Sequence, residues 1–413
     1  MSKTLQKKSS SQPSLNLKTL IFIIAVFFIS LGQLQRIQIA NTVAIYGHDL
    51  FIFLFVTLTA LTTQINKKSA KKFFHRWRYL CLFGLWTLGS LLINQSLSGF
   101  NIIPWMYLAR LGVYLLFGLS LKNQVQIGKV DRQWVQLIFK FMIFIFLFIG
   151  FFQYLFIPDL RFLGTEGWDV HYYRLAGNML DPNFAGMLLV NFLITIVFTT
   201  EDKYKNKLYL GLIIVLAIAL TYSRSSYLAF AVTVGSTFLL SKTQKYLPKR
   251  IIYFLFTSLL LLLPFLPKPG GIGVNLARTE TIASRVEVNE TIVNQLDLHQ
   301  LLIGKGLFTP SINTSLANQI IHAKFPDNFL VFFLSSTGVV GLLFILIFLY
   351  KEIKLAYNSN NFLVILLLVS TLSHSMLNLT ILEPVNLLTL FLCMQFDNSI
   401  KQQSLGLLKK VKS

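Results

Sequence analysis

The chain has 413 residues and a mean hydropathy of +0.63; 54% of its residues are hydrophobic and only 13% are charged. This composition excludes an ordinary soluble domain and is typical of a polytopic membrane protein. The formal net charge of +21 does not indicate nucleic-acid binding, because the lysines and arginines lie in short links between apolar runs. Cys81 and Cys393 both fall within apolar runs, so no disulfide framework is expected.

Twelve apolar segments approach the length of about 20 residues that a helix needs to cross a bilayer. A basic, serine-rich tail (1–18) precedes them, and no small-residue cleavage site follows it, which favours a cytoplasmic tail over a signal peptide. The segments are Leu17 to Leu34, Ile45 to Thr63, Trp77 to Ile93, Ile102 to Leu121, Val135 to Ile157, Asn183 to Thr200, Leu208 to Tyr222, Ser226 to Leu240, Ile251 to Phe265, Asn328 to Tyr350, Phe362 to Asn378 and Pro384 to Phe396.

The distribution of positive charge predicts the orientation of these segments. With the first tail in the cytoplasm, the inner links contain 26 of the 37 lysines and arginines, and the outer segments contain nine. Arg110 and Lys140 lie within spans. An excess of positive charge on the cytoplasmic side is the usual pattern in membrane proteins. The sequence therefore predicts an all-α protein with 12 transmembrane helices and both termini in the cytoplasm.

Two outer loops, 158–182 and 267–327, are longer than a turn requires, and the second lies between the ninth and tenth predicted helices. Proline and glycine at both ends of the second loop, with weakly amphipathic stretches between, predict a partly helical cap. The predicted layout is a basic tail (1–18), a single transmembrane domain (19–396) that includes both loops, and a second basic tail (397–413).

The first outer loop contains the motif RLAGNMLDPN. Asp181 suits the N-cap of the sixth span and Pro182 its first helical position. The amides at that helix end would then face the outer surface, where they can bind an anion together with Arg174. Alternatively, Asp181 only caps the helix and Arg174 reaches lipid headgroups.

A second arginine lies in TYSRSS, the tight turn between the seventh and eighth spans. The predicted topology places this residue, Arg224, on the same side as Arg174. A guanidinium suits phosphate because its planar fork donates two parallel hydrogen bonds. We therefore expect both arginines to face one anionic ligand, with pairing to lipid headgroups as the alternative.

Several further polar residues are candidates for chemistry. Asp327 and His322 precede the tenth span, where either can accept a proton from a sugar hydroxyl. Either Asp327 or Asn328 can cap the tenth span, so a cap explains Asp327 equally well, and a lone loop histidine is commonly only solvated. His374 and Arg110 lie within apolar spans, where they either face a cavity or tie helices together.

Common cofactor and metal motifs are missing from the sequence. It contains no GxxxxGK[ST] pattern, no HExxH and no metal-binding Cys/His spacing. The LLIGKGLF segment lacks the strand–loop–helix context of a phosphate-binding loop. No cofactor and no metal site are therefore expected.

Four motifs in this order resemble the O-antigen ligase and O-antigen polymerase family, bacterial integral membrane glycosyltransferases that include protein O-oligosaccharyltransferases. The resemblance covers roughly residues 161–396. The motifs are RLAGNMLDPNFAGMLL, TYSRSSYLAF, LLIGKGLF followed by PDNFLVFFLSSTGVVGLL, and SHSMLNLTILEPVNLL.

The resemblance implies a multi-pass, metal-independent glycosyltransferase that acts on the outer face of the bacterial inner membrane. Its implied partners are an oligosaccharide linked to undecaprenyl diphosphate, a glycan acceptor and membrane lipids, with no nucleic acid. Other polysaccharide export proteins are further expected partners. The implied process is the biosynthesis of cell-surface polysaccharide in the cell envelope.

The resemblance also implies roles for residues that match the family's motifs. Ligases of the family usually carry a histidine directly before the asparagine at the start of the tenth span. Asp327 occupies that position, which favours a polymerase. His322 lies nearby but is not the matching position, and from their place before the tenth span Asp327 and His322 are the expected catalytic residues. The expected diphosphate-binding residues are Arg174, Arg224 and Arg285, the last preferred over Arg278. The expected substrate-binding residues are Asn328, Asp181, His374 and Arg278.

Transfer then proceeds by attack of an acceptor hydroxyl on the anomeric carbon, with inversion, while the arginines stabilise the leaving diphosphate. Ligase or protein O-oligosaccharyltransferase activity is the first alternative. A flippase for the same lipid-linked glycan is another, but it predicts cations along a midplane cavity and broken helices in repeated halves. A non-catalytic scaffold would leave the two arginine motifs unexplained.

Overall fold

The computed structural model describes residues 15–40, 43–63, 67–166, 168–199, 204–241, 248–270, 272–310 and 325–396. His322 and most of both predicted tails lie outside these ranges. Within them the chain forms fourteen α-helices. They are α1 (Leu17–Ser30), α2 (Gly47–Thr62), α3 (Lys67–Ser98), α4 (Ile102–Gln126), α5 (Arg132–Phe156), α6 (Pro182–Phe198), α7 (Tyr204–Leu220), α8 (Arg224–Ser241), α9 (Lys249–Leu262), α10 (Glu280–Asn294), α11 (Leu298–Ile303), α12 (Phe329–Asn358), α13 (Phe362–Ser375) and α14 (Pro384–Cys393).

Each of the twelve predicted segments overlaps one of these helices, which agrees with the predicted helical membrane protein. Among the described residues, four helices are long and apolar enough to cross a membrane on their own. They are His75–Leu97 within α3, α4, α5 and α12. The count of twelve spans and the cytoplasmic position of the termini stay predictions.

A short antiparallel hairpin interrupts the helical pattern between α1 and α2. It pairs β1 (Arg36–Ala40) with β2 (Val43–Tyr46), and Arg36 lies opposite Tyr46. The segment alternates polar and β-branched residues in RIQIA, a period that favours a strand. The sequence prediction treated this segment only as an outer link.

Helix α6 lies at the centre of the bundle, and every residue from Ala185 to Val197 is buried. Helices α7, α8, α13 and α14 pack against it. A Cβ atom at Gly186 would overlap Ser226 Oγ, so glycine at this position lets α6 and α8 approach closely. Consequently the N-terminal ends of these two helices lie side by side.

Helix α12 is broken at Gly338, whose backbone has φ 67° and ψ −178°. Backbone groups of the GKG segment occupy the break: Lys305 N donates to Ser335 O at 2.8 Å and Gly306 N to Ser336 O at 2.9 Å. A Cβ at Gly304 would overlap the Ser336 backbone. The carbonyls that a helix break frees are thereby satisfied within the protein, as a membrane environment requires.

The predicted cap between α9 and α12 contains two helices, α10 and α11. Helix α11 packs against α12 through the GKG contact, and α10 also contacts α12. Arg278 lies just before α10 and Arg285 on its second turn. The cap therefore carries two arginines towards the ends of α6 and α8.

Candidate functional site

The two arginine motifs of the sequence are joined directly in the structure. Leu175 N donates to Leu220 O at 2.8 Å, and Arg174 Nε donates to Thr221 O at 2.9 Å. The loop before α6 therefore runs along the turn that leads into α8. Arg174 contacts the turn three residues before Arg224, so the predicted proximity of the two motifs is confirmed.

Arg174 is a buried arginine, with 5% of its surface exposed. Its Nη2 donates to Asn183 Oδ1 at 3.4 Å, and its alkyl stem lies against Gly273 of the cap. Burial, together with the positive charges of Arg278 and Arg285, lowers the pKa of Arg174 to about 10. The group stays charged at neutral pH, and two arginines of the cap lie close enough to repel it.

Arg278 connects the cap to the N-terminal end of α8. Arg224 Nη1 donates to the backbone carbonyl of Arg278, and Arg278 Nη1 donates to the carbonyl of Gly273. Burial lowers the pKa of Arg278, and the charges of Arg224 and Arg285 lower it further. Four guanidinium groups thus lie close together at the N-terminal ends of α6 and α8; we call this set of Arg174, Arg224, Arg278 and Arg285 the arginine cluster.

Asp327 provides a carboxylate at the edge of the arginine cluster. Arg285 Nε lies 3.0 Å from Asp327 Oδ2, and half of the Asp327 side-chain surface is exposed. Crowding by protein atoms raises the pKa of Asp327, Arg285 opposes this effect, and the negative charges of Asp181 and Asp169 add to it. This carboxylate is therefore accessible and binds a proton more readily than an ordinary aspartate.

Asn328, and not Asp327, caps α12. Asn328 Oδ1 accepts from Leu330 N at 2.9 Å and from Val331 N at 3.2 Å, while its Nδ2 donates to Met376 O at 2.9 Å. The capping interpretation of Asp327 is therefore wrong, because its neighbour fills that role. Its carboxylate pairs instead with Arg285.

Serine hydroxyls from the TYSRSS turn are hydrogen-bonded to two asparagines that also contact the arginine cluster. Ser223 Oγ donates to Asn183 Oδ1 at 3.1 Å, and Asn378 Nδ2 donates to Ser225 Oγ at 2.8 Å. The same Asn378 accepts a hydrogen bond of 2.7 Å from Arg285 Nη2. These contacts fix α6, α8 and the segment after α13 relative to the cap.

His374 lies behind this layer and is completely buried. Its Nε2 shares a hydrogen bond of 3.2 Å with Ser226 Oγ, and its Nδ1 shares one of 3.1 Å with Thr380 Oγ1. Ser226 in turn donates to Ser223 Oγ at 2.8 Å. Hydrogen bonds through Ser226 therefore link His374 to the serines of the TYSRSS turn. Its expected role in substrate binding stays a prediction.

Asp181 forms the predicted N-cap of α6. Its Oδ1 accepts from Asn183 N at 2.6 Å and from Phe184 N at 3.2 Å, and Pro182 follows at the first helical position. Its Oδ2 lies 3.9 Å from Nε2 of His171, a residue that the sequence patterns did not single out. Burial lowers the pKa of His171, whereas Asp181 raises it. The only sequence signal was its position two residues after Asp169, in WDVHYYR.

Arg110 lies in a separate network beside the hairpin. Its Nη2 is 2.9 Å from Asp49 Oδ2 and donates to Ala44 O at 2.6 Å. The guanidinium also lies over the rings of Tyr46 and Tyr107, at 5.4 and 5.6 Å from their centroids. Of the two interpretations left open by the sequence, this arrangement matches a tie between helices.

Comparison with known proteins finds a match in the segment that contains α8, the cap and the start of α12. A family model described as O-antigen ligase matches residues 209–346. No curated protein matches the chain. The matched segment includes three members of the arginine cluster, Asp327 and the GKG contact with α12, and over these residues it supports the resemblance noted from the motifs.

Proposed function

We propose that this chain polymerises oligosaccharide units linked to undecaprenyl diphosphate, and the match of residues 209–346 to a family model described as O-antigen ligase supports this proposal. The reaction takes place on the outer face of the bacterial inner membrane and builds a cell-surface polysaccharide. The observation that carries the proposal is the convergence of four arginines at the N-terminal ends of α6 and α8.

The arginine cluster suits a diphosphate for electrostatic reasons. Several guanidinium groups held close together repel one another, and a bound anion relieves this repulsion. Each guanidinium donates paired hydrogen bonds that match phosphate oxygens. Arg174 is held by Thr221 and Asn183, and Arg285 by Asp327 and Asn378, so both are positioned before the ligand arrives. Such preorganised positive charge is the main electrostatic contribution to expulsion of a diphosphate leaving group.

Asp327 is our candidate proton acceptor. The acceptor hydroxyl forms a bond to the anomeric carbon while the bond from that carbon to the diphosphate oxygen breaks, and the electron pair leaves with the diphosphate. The hydroxyl proton moves to the Asp327 carboxylate, whose raised pKa suits it for this role. Attack opposite the leaving group inverts the anomeric configuration.

Polymerisation is favoured over ligation by the residue that precedes Asn328. Ligases of the family usually carry a histidine there, and this chain carries Asp327. Ligation to a lipid or protein acceptor is the alternative, because the same arginine cluster would serve either acceptor. Binding of lipid-linked oligosaccharide is common to both.

The test is an assay of purified protein in proteoliposomes with undecaprenyl-diphosphate-linked repeat units. We expect a ladder of lipid-linked polymer on a glycan gel. Transfer to added lipid-core or peptide acceptors without a ladder would identify a ligase or an oligosaccharyltransferase. Movement of the glycan across the bilayer without new glycosidic bonds would overturn the proposal in favour of a flippase.

A matched pair of variants controls this assay. Arg224→Ala removes one member of the arginine cluster. Arg161→Ala removes an arginine of the same outer face whose side chain is 60% exposed and pairs with Asp159 at 2.6 Å. We expect only the first change to abolish the ladder, and an undiminished ladder from Arg224→Ala would rule out the arginine cluster as the diphosphate site.

A further inference from the structure

Three side chains in the outer loops place potential metal ligands around one point. They are Asp169, His171 and Asp181, and one ligand atom from each lies within 4.8 Å of the others. Asp169 is exposed, Asp181 is partly buried and His171 is buried. The set combines one imidazole nitrogen with two carboxylate oxygens. Neither the proposed transfer reaction nor the arginine cluster requires these three groups together.

His171 provides a second and independent observation. Only 7% of the residue is exposed, and its Nε2 is fully buried without a hydrogen-bond partner in the described part of the chain. A buried polar nitrogen without a partner is unfavourable, because it loses its hydrogen bonds to water and gains none in return. This nitrogen lies 3.9 Å from Asp181 Oδ2 and is therefore directed into the three-residue set.

The backbone holds the three residues in place. Leu160 N donates to His171 O at 2.9 Å, and Tyr172 pairs with Asp159 in an isolated bridge. Asp169 lies two residues before His171, outside any helix, and side chains two apart in an extended segment share one face. Asp181 is fixed through Oδ1 by the cap of α6, which directs Oδ2 towards His171.

We propose that Asp169, His171 and Asp181 bind one divalent transition-metal ion. Nitrogen and oxygen ligands lie about 2.0–2.2 Å from such an ion, so two ligands of one ion are at most about 4.4 Å apart. The three ligand atoms lie within 4.8 Å of one another, so small side-chain rotations are enough to bring them to these distances. Mixed imidazole and carboxylate ligands suit Mn²⁺ or Zn²⁺ better than Ca²⁺ or Mg²⁺. The sequence patterns predicted no metal because Asp169 and Asp181 are twelve residues apart and belong to no common motif.

The site adjoins the arginine cluster. The charges of Arg174, Arg278 and Asp181 all act on His171, so the three-residue set lies beside the arginine cluster. Three protein ligands leave coordination positions open, which water or a phosphate oxygen can occupy. A role for the ion in holding the diphosphate rests on the proposed function, whereas binding of the ion does not.

Mn²⁺ titration of the purified full-length protein in detergent tests the proposal, with free Mn²⁺ measured by electron paramagnetic resonance. We expect one Mn²⁺ site per chain that Zn²⁺ competes for. Asp169→Asn and His171→Gln should each weaken Mn²⁺ binding at least tenfold. Asp181→Asn should do the same while keeping an oxygen to cap α6. Asp159→Asn is the matched control, because Asp159 lies in the same loop and pairs with Arg161, and it should bind Mn²⁺ like the wild type.

Absence of a saturable Mn²⁺ or Zn²⁺ site in the wild type would overturn the proposal. Equal Mn²⁺ binding by wild type, Asp169→Asn and His171→Gln would also overturn it. Asp169 is exposed, so its variant should fold, and an unchanged elution volume in size-exclusion chromatography verifies this. Arg224→Ala separates the two proposals: it should lose the polymer ladder yet bind Mn²⁺ at least as tightly. An Mn²⁺ site without polymer formation would leave the metal proposal standing and remove the proposed function.

Discussion

Arg110 and Arg224 occupy contrasting environments on the same protein. Arg110 lies 2.9 Å from the carboxylate of Asp49 and between two tyrosine rings, so its charge is balanced where it sits. Arg224 donates to the backbone carbonyl of Arg278 and lies near the guanidiniums of Arg278 and Arg285. The charge of Arg110 is thus balanced within the protein, whereas Arg224 belongs to a concentration of positive charge.

This difference separates a structural arginine from a ligand-binding one. A buried ion pair whose hydrogen bonds are satisfied fixes the relative position of helices, and loss of one partner leaves the other charge uncompensated. In a cluster of like charges, by contrast, each charge makes the charged form of its neighbours less favourable until an anion binds. We therefore expect Arg110 variants to affect stability and arginine-cluster variants to affect turnover.

The largest effect is expected from Arg224→Ala. Loss of one preorganised donor to a developing anion typically slows turnover by about 10²–10³-fold. The thermal unfolding temperature should change by no more than about 2 °C, since the lost hydrogen bond to a backbone carbonyl is offset by reduced repulsion. Polymer yield and thermal unfolding, measured on the same detergent preparation, check this prediction. A large fall in unfolding temperature would place Arg224 with Arg110 as a structural residue.

Arg110→Ala should show the reverse pattern. Removing one partner of a largely buried ion pair costs about 3 kcal/mol, and here it strands the Asp49 carboxylate beside Tyr114 and His48. We expect a clearly lower unfolding temperature, with turnover per folded molecule close to that of the wild type. If the variant kept its stability but lost the polymer ladder, Arg110 would belong to the substrate path.

The helices were predictable because their signal is local. Each long apolar run contains a helix, since a chain in lipid must satisfy its backbone groups within itself. The N-cap at Asp181 followed from Asp-Pro-Asn alone. The break at Gly338 was not predictable in this way, because its partners are Lys305 and Gly306, about thirty residues earlier in the chain.

The candidate site was predictable in part for the same reason. Arg174 and Arg224 flank two adjacent helices, so the order of segments already placed them together. The position of Arg278 depends on how the cap folds back, which no local pattern reveals. The cap of α12 fell to Asn328, a choice between two neighbouring residues that only geometry decides. His171 is a lone histidine, and its position beside Asp181 depends on how the loop before α6 folds.

A smaller effect is expected from Arg174→Lys, which keeps the charge but removes the planar fork. Arg174 uses Nε for Thr221 O and Nη2 for Asn183 Oδ1, and a lysine ammonium cannot hold both positions while facing a ligand. We expect about tenfold slower polymerisation, equivalent to the loss of one hydrogen bond to a charged group. Arg110→Lys is the matched change, and it should leave the rate nearly unaltered. Equal rates for both variants would mean that charge alone matters in the arginine cluster.

The smallest shift to detect is expected from Arg285→Gln, which should lower the rate like other arginine-cluster variants and also change the pH dependence. Arg285 lies 3.0 Å from Asp327 and lowers the pKa of that carboxyl against the raising effect of burial. Without Arg285 the pKa of Asp327 rises further. If Asp327 accepts the proton, activity requires its ionised form and is lost as pH falls through this pKa. The acid limb of the pH–rate profile should therefore move to higher pH in Arg285→Gln.

Arg224→Gln is the control for this shift, because Arg224 donates to the backbone carbonyl of Arg278, whereas Arg285 pairs directly with Asp327. It should lower the rate at every pH and leave the acid limb in place. Superimposable acid limbs for Arg285→Gln and the wild type, after scaling to the same maximum, would exclude Asp327 as the proton acceptor. The arginine cluster would then bind the diphosphate without a carboxylate partner in the chemistry. Arg285 would then resemble Arg110, an arginine whose carboxylate contact serves only to hold two segments together.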